Sequence, residues 1–215
     1  MTELPRLHVV TDDVRLSSAD FATAAADVLE AGGSDVALHL RGRATSASRL
    51  YELARGLLPV ARRVGARLLV NDRVDVALAA RADGVQLRED SLTPADARAI
   101  LGAGALVGVS RHADSVGGGP EADADFVVLG SVFATRSHPG ARALGLDGLR
   151  AGAKGMERGG RLIAIGGIAP ARVVEVVNAG AYGVAVSSGI WDSGGTVAAA
   201  LKAYLGELRA ATAPR

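Results

Sequence analysis

Short apolar runs alternate with longer amphipathic stretches along the whole chain. The runs fall at residues 7–10, 36–40, 67–70, 84–87, 106–109, 126–129, 162–165 and 183–186. Each has the length of a strand and lacks polar alternation, as expected of strands buried on both faces. Between them, helical spacing predicts helices at about 19–30, 46–64, 74–81, 146–157, 170–179 and 195–208, and another opening at Thr93-Pro94. Thr is a good cap and Pro suits the first helical position. Ser17 or Ser18 can cap the first helix, and Gly32-Gly33 ends it. A helix over 113–122 is expected to be short or broken, because Gly117-Gly118-Gly119-Pro120 falls inside it. The rhythm is eight strand-then-helix units with no linker. Such alternation gives a parallel sheet, and eight units favour a closed (βα)8 TIM barrel. An open doubly wound sheet is the alternative, but no G-x-G-x-x-G follows the first strand. One domain over 1–215 is expected, with the tail from about 210 frayed.

Composition narrows the function. The 215 residues are 49% hydrophobic and 22% charged, with net charge +1, in the range of an ordinary folded protein. Aromatics at 3% and the lack of a basic run argue against a nucleic-acid partner. No apolar run approaches membrane-spanning length and no signal-peptide pattern stands at the start, so no membrane partner and a cytoplasmic location are expected. With no cysteine, disulfides, thiolate metal sites and a cysteine nucleophile are excluded.

The candidate chemistry sits where strands end. Gly166-Gly167 follows the seventh run and Ser187-Ser188-Gly189 the eighth. Small-residue loops leave backbone N–H groups uncovered, and in (βα)8 barrels the phosphate site lies after strands seven and eight. A small phosphate ester is therefore the expected ligand. The other strand ends carry Asp12-Asp13, His39 with Arg41 and Arg43, Asn71-Asp72, Gln86 with Asp90-Ser91, Ser110 with His112, and Ser131 with Thr135, Ser137 and His138. Ala37, His39 and Arg41 share one side of a strand. Arg41 then needs an anion, either a ligand or an internal partner such as Asp72. His8, low in the first strand, reads as a satisfied core histidine. His112 can begin or cap a helix. His138 lies in a long loop with weak packing demands, which favours a functional role. No zinc-like spacing and no G-x-S-x-G elbow occur.

The segments LHVVTDD, LHLRGR, NDRVDVAL, DGVQL, DADFVVLGSVFAT and IAIGGIAPARVVEVVNAGAYGVAVSSGI resemble the family of thiamine-phosphate synthase and TenI, a thiazole tautomerase, over nearly the whole chain. That resemblance implies a barrel enzyme, a homodimer, and a thiazole phosphate held by Gly166, Gly167, Ser187, Ser188 and Gly189. It also implies substrate contacts from Arg41, Arg43, Asn71, Gln86, Ser110, Thr135 and Ser137. A synthase couples a pyrimidinylmethyl diphosphate to thiazole phosphate and uses Mg²⁺, for which the candidate ligands are Asp72 with Asp90 or Ser91. A tautomerase aromatises a carboxythiazole phosphate by proton transfer and needs no cofactor.

The wording LHLRGR, VQL before Ser91, and GSVFAT is closer to the tautomerase branch, which is the leading expectation. In that branch the family's catalytic histidine aligns with Ser131, so His138, or His39 after it, is expected to carry the proton. In the synthase pattern His39 replaces Gln, Arg43 replaces Lys and His138 stands for a diphosphate-binding Lys. A non-catalytic binder of these phosphates is the third reading.

Overall fold

A computed structural model gives the fold. It describes residues 4–112, 123–135, 143–156 and 160–212. Eight parallel strands close into a barrel in sequence order. They are β1 (Leu7–Val10), β2 (Val36–Leu40), β3 (Arg67–Asn71), β4 (Gly84–Leu87), β5 (Leu106–Arg111), β6 (Phe126–Gly130), β7 (Leu162–Ile165) and β8 (Gly183–Val186). Closure comes from β8 pairing with β1, Leu7 opposite Val184 and Val9 opposite Val186. The helices are α1 (Asp13–Ser17), α2 (Phe21–Gly32), α3 (Ala47–Val64), α4 (Val74–Ala80), α5 (Pro94–Leu101), α6 (Gly145–Gly155), α7 (Val173–Asn178), α8 (Ser188–Trp191) and α9 (Val197–Ala210). Among the described residues, no helix is long and apolar enough to cross a membrane.

Strand alternation sorts the core into two shells. Leu7, Val9, Leu38, Leu40, Leu68 and Val70 point outward and pack under the helices. Val10, Ala37, Leu69, Phe126, Val128, Ile163 and Ala185 fill the lumen. Helix α3 shows the matching 3.6 period. Leu50, Leu53, Ala54, Leu57, Leu58 and Ala61 are its buried face, Ser46 caps it by accepting from Arg49 N, and Gly65 at φ 76° ends it.

Local chemistry decided the boundaries that the spacing misplaced. The first long helix starts at Phe21, and neither Ser17 nor Ser18 caps it. A separate turn, α1, precedes it, capped by Asp12 accepting from Arg15 N. The stretch from Pro170 begins as a 3-10 turn, Pro170–Arg172, before α7. The expected helix over 113–122 lies outside the described residues.

Candidate active site

Inward positions of β1–β5 form a polar floor beneath the rim. His8 and His39 are 0% and 1% exposed and Gln86 is 4%. His8 Nε2 lies 3.0 Å from the Pro5 carbonyl oxygen, and His8 Nδ1 lies 2.8 Å from His39 Nε2. A carbonyl only accepts, so Nε2 carries the His8 proton and Nδ1 accepts from His39 Nε2–H. His39 Nδ1 is then an acceptor too, 3.1 Å from the position of Asn71 Oδ1. Two acceptors do not pair. The Asn71 amide must therefore present its NH2 group to His39, oxygen and nitrogen of an amide being assigned by their partners.

Burial keeps this chain neutral. It lowers His8 well below the usual histidine value, with the neighbouring His39 adding to the effect against the Pro5 carbonyl. It brings His39 down to about 4 against the Asn71 hydrogen bond. The tilted rings of His8 and Phe126, 5.0 Å between centroids, complete the packing. Across the lumen, Gln86 Nε2 donates to Ser110 Oγ at 3.0 Å, while Gln86 Oε1 is buried with no hydrogen-bond partner.

Above the floor, the loop after β2 is pinned by residues that spacing alone did not single out. Thr11 Oγ1 accepts from Arg41 N at 2.8 Å and donates to the His39 carbonyl at 3.0 Å. Asp13 accepts from the N–H groups of Arg43, Ala44 and Thr45 and from the Thr45 hydroxyl. The Thr45 hydroxyl is the main cause that holds the Asp13 carboxyl below its ordinary value. The loop in turn positions Arg41. Its guanidinium is pulled down from its usual value by burial first and then by the Arg43 charge, against Asp13 and Asp12. Among the described residues no carboxylate forms an ion pair with Arg41. The internal partner suggested above, Asp72, is engaged elsewhere.

Asp72 sits at φ 63°, a left-handed conformation that Asp tolerates better than most residues. Its N–H donates to the Gln86 carbonyl at 2.9 Å. Its carboxylate oxygen Oδ2 lies 3.1 Å from Arg88 Nε, and its Oδ1 accepts from Arg88 N at 3.3 Å. Asp90 reaches the same nitrogen, Oδ1 to Arg88 Nε 3.1 Å. Ser91 turns back locally, its N–H donating to the Arg88 carbonyl. The two acidic candidates for a metal are thus gathered around a guanidinium. Among the described residues no group of three or more His, Asp or Glu is placed to hold a metal ion.

On the other side of the mouth the loops after β6, β7 and β8 meet. Ile165 and Gly166 carbonyls accept from Val132 N and Phe133 N at 2.8 and 3.0 Å. Gly166 and Gly167 have φ of 105° and 63°, and a Cβ on Gly167 would come within 2.5 Å of the Ala134 carbonyl oxygen. Only glycine fits there without strain. A Cβ on Gly166 would press on Ser131, so Ser131 borders the glycine loop directly. Gly167 and Ser188 are exposed, and Gly166, Ser187 and Gly189 partly so. The N–H groups of Gly166, Gly167, Ser188 and Gly189 have no acceptor among the described residues. Indole Nε1 of Trp191, donating to the Val10 carbonyl at 2.9 Å, ties the last turn of this loop to β1.

The sequence model of TMP-TENI, thiamine monophosphate synthase, matches residues 7–190. The chain belongs to this family. Thiamine-phosphate synthase of Chloroflexus aurantiacus is 41% identical over 197 residues, covering 91% of this chain and 89% of the relative. The same-named protein of Xanthobacter autotrophicus is 40% identical over 186 residues, 86% of each. Thiamine phosphate pyrophosphorylase from Pyrococcus furiosus superposes with a TM-score of 0.80 at 30% identity over 97% of both chains. The relatives' names favour the synthase branch of the family over the tautomerase branch expected from local wording.

His39, Asn71, Gln86 and Ser110 therefore share one floor, and Arg41 stands above it. Arg43 is exposed on the rim with its N–H on Asp13 Oδ2, and Thr135 follows the β6 loop that borders Gly167. Ser137 and His138 lie outside the described residues. Arg88 was not singled out from the sequence. The register Asn71 to Gln86 places the residues after these two strands side by side, which is the signal that could have found it.

Proposed function

We propose that this chain couples a pyrimidinylmethyl diphosphate to a thiazole phosphate, the synthase reaction. The observation that carries the reading is a rim with two separate places for anions. One is neutral, the unpaired amides of Gly166, Gly167, Ser188 and Gly189. The other is cationic, Arg41 and Arg43, without an ion-paired carboxylate among the described residues. A monophosphate suits the first, as amide cradles bind phosphate through N–H groups. A diphosphate suits the second, as guanidinium groups meet several phosphate oxygens.

The bond between the pyrimidine methylene and the diphosphate oxygen breaks, and its electron pair leaves with the diphosphate. The thiazole ring nitrogen supplies the pair for the new N–C bond, and a carboxylate on the thiazole, where present, departs as carbon dioxide. Arg41 and Arg43 stabilise the charge on the leaving group. The floor of His39, Asn71, Gln86 and Ser110 is uncharged at neutral pH; His39 holds Asn71 in place, and the remaining polar groups of the floor orient the pyrimidine by hydrogen bonds without protonating it. With its pKa near 4, His39 is also poorly matched to general acid–base work at neutral pH.

Mg²⁺ belongs to the synthase reading, and the residues here do not fit it. Asp72 and Asp90 contact Arg88, and the Ser91 alternative is a neutral hydroxyl. That misfit is the specific observation favouring a second reading, the metal-free tautomerase, with Ser131 beside the glycine loop and His138 as its proton carrier.

Incubation of the purified protein with both esters, followed by chromatography and mass detection, tests the reading. Thiamine phosphate formation above background is expected. Solvent-deuterium incorporation into carboxythiazole phosphate without coupling would replace it by the tautomerase. Tight binding of thiazole phosphate with neither turnover would replace it by a carrier.

A further inference from the structure

We infer that Arg88 takes the place of a divalent cation at this rim, closing the pair Asp72–Asp90 to metal ions and leaving anion binding to guanidinium groups. Both carboxylates meet the same Nε at 3.1 Å, and Asp72 is bound a second time through Arg88 N at 3.3 Å. The arrangement has a rigid base: Asp72 is held by its N–H on the Gln86 carbonyl, at the end of a strand paired directly with β4.

A guanidinium cannot lose its proton under working conditions. A metal ion entering between the carboxylates must therefore displace a permanent positive charge and then sit beside it. Mg²⁺ also gives up its water reluctantly and relies on one or two carboxylates plus substrate phosphates. Here both carboxylates are already neutralised in part, and the neighbouring Ser91 adds no charge.

The ion-pair distances to both carboxylates are at Nε, and no hydrogen bond among the described residues uses the terminal nitrogens of Arg88. Its side chain is 51% exposed. Those terminal N–H groups are thus available for phosphate oxygens at the mouth that Arg41 also borders. That the anion is a diphosphate rests on the synthase reading; the exclusion of the cation does not.

The test uses the full chain and Mn²⁺ as probe, free ion being read from its paramagnetic resonance signal. Wild type is expected to leave the signal at its protein-free amplitude up to millimolar ion. Arg88→Ala, with both carboxylates freed, should bind Mn²⁺ at least tenfold more tightly, and adding Asp72→Asn should cancel the gain. Calorimetry with inorganic diphosphate in EDTA supplies the second arm. Wild type should bind, Arg88→Ala should lose at least tenfold, and Arg88→Lys should recover part of the loss.

Wild-type Mn²⁺ binding abolished by Asp72→Asn would overturn the inference, as would an Arg88→Ala chain that gains none. Diphosphate binding by wild type only when metal is supplied would do so too. Should Arg88→Ala melt early, Arg88→Gln, neutral and of similar reach, carries the same measurements. If the ion and diphosphate results stand while the two esters give no product, the reaction assignment fails and the role of Arg88 survives.

Discussion

Acidification should weaken this fold well above the range in which carboxylates titrate. His39 is held near 4 and His8 is lowered well below its ordinary value, both mainly by burial. The unfolded chain has ordinary histidines near 6.5. As pH falls through 6.5 the unfolded state takes up protons that the native state refuses. The contribution is therefore complete above 6.5 and is lost progressively as pH drops toward 4. For one histidine shifted from about 6.5 to about 4, the loss between pH 7 and pH 5.5 is about 1.2 kcal/mol. His8 is lowered in the same direction and adds to the loss over that interval.

Asp13 acts separately, because its lowered carboxyl costs stability only below its ordinary 3.8. The assay is urea unfolding at half-unit steps from pH 7.5 to 5. His8→Leu/His39→Met is the control, since it keeps His112 and His138, the other two of the four histidines. Its stability should change by under about 0.5 kcal/mol over the same interval. A wild-type midpoint that stays constant from pH 7 to 5.5, or a control with equal slope, would refute the neutral, buried histidine chain.

Three further outcomes follow from single contacts. His8→Leu leaves the Pro5 carbonyl and the His39 Nε2–H without partners and should cost about 2–5 kcal/mol at pH 7, read by the same unfolding assay. Gly167→Ala meets a positive φ and the Ala134 carbonyl, so it should lose about 1–3 kcal/mol and weaken inorganic phosphate binding severalfold in calorimetry. Arg41→Met should raise KM for the diphosphate ester at least tenfold while leaving the melting temperature within about 2 °C, because no ion pair is broken; an unchanged KM would remove Arg41 from the anion site.

The barrel was legible in the chain because a strand buried on both faces must be apolar throughout, and eight such runs recur between amphipathic stretches. Strand parity went as far as the floor: Ala37 and His39 do face the lumen, as their spacing demands. Residue order also marked the glycine loops, since positive φ at Gly166 and Gly167 is a local requirement. The helix start near Phe21 was misplaced because Ser17 and Ser18 each offered a cap there, and the stretch from Pro170 opens as a 3-10 turn before its α-helix.

What order alone could not decide was partnership. Arg41 had Asp72 as one plausible counter-ion by strand position, yet the left-handed turn at Asp72 delivers that carboxylate to Arg88, across the gap between two paired strands. The neutrality of His8 and His39 was equally invisible, because an imidazole's proton balance is set by how much water and charge surround it, and Asn71 and Phe126 reach the pair from distant parts of the chain. Periodicity is a property of neighbours along the backbone. Charge pairing and desolvation depend on distances of a few ångströms in space, and those exist only once the ring of strands has closed.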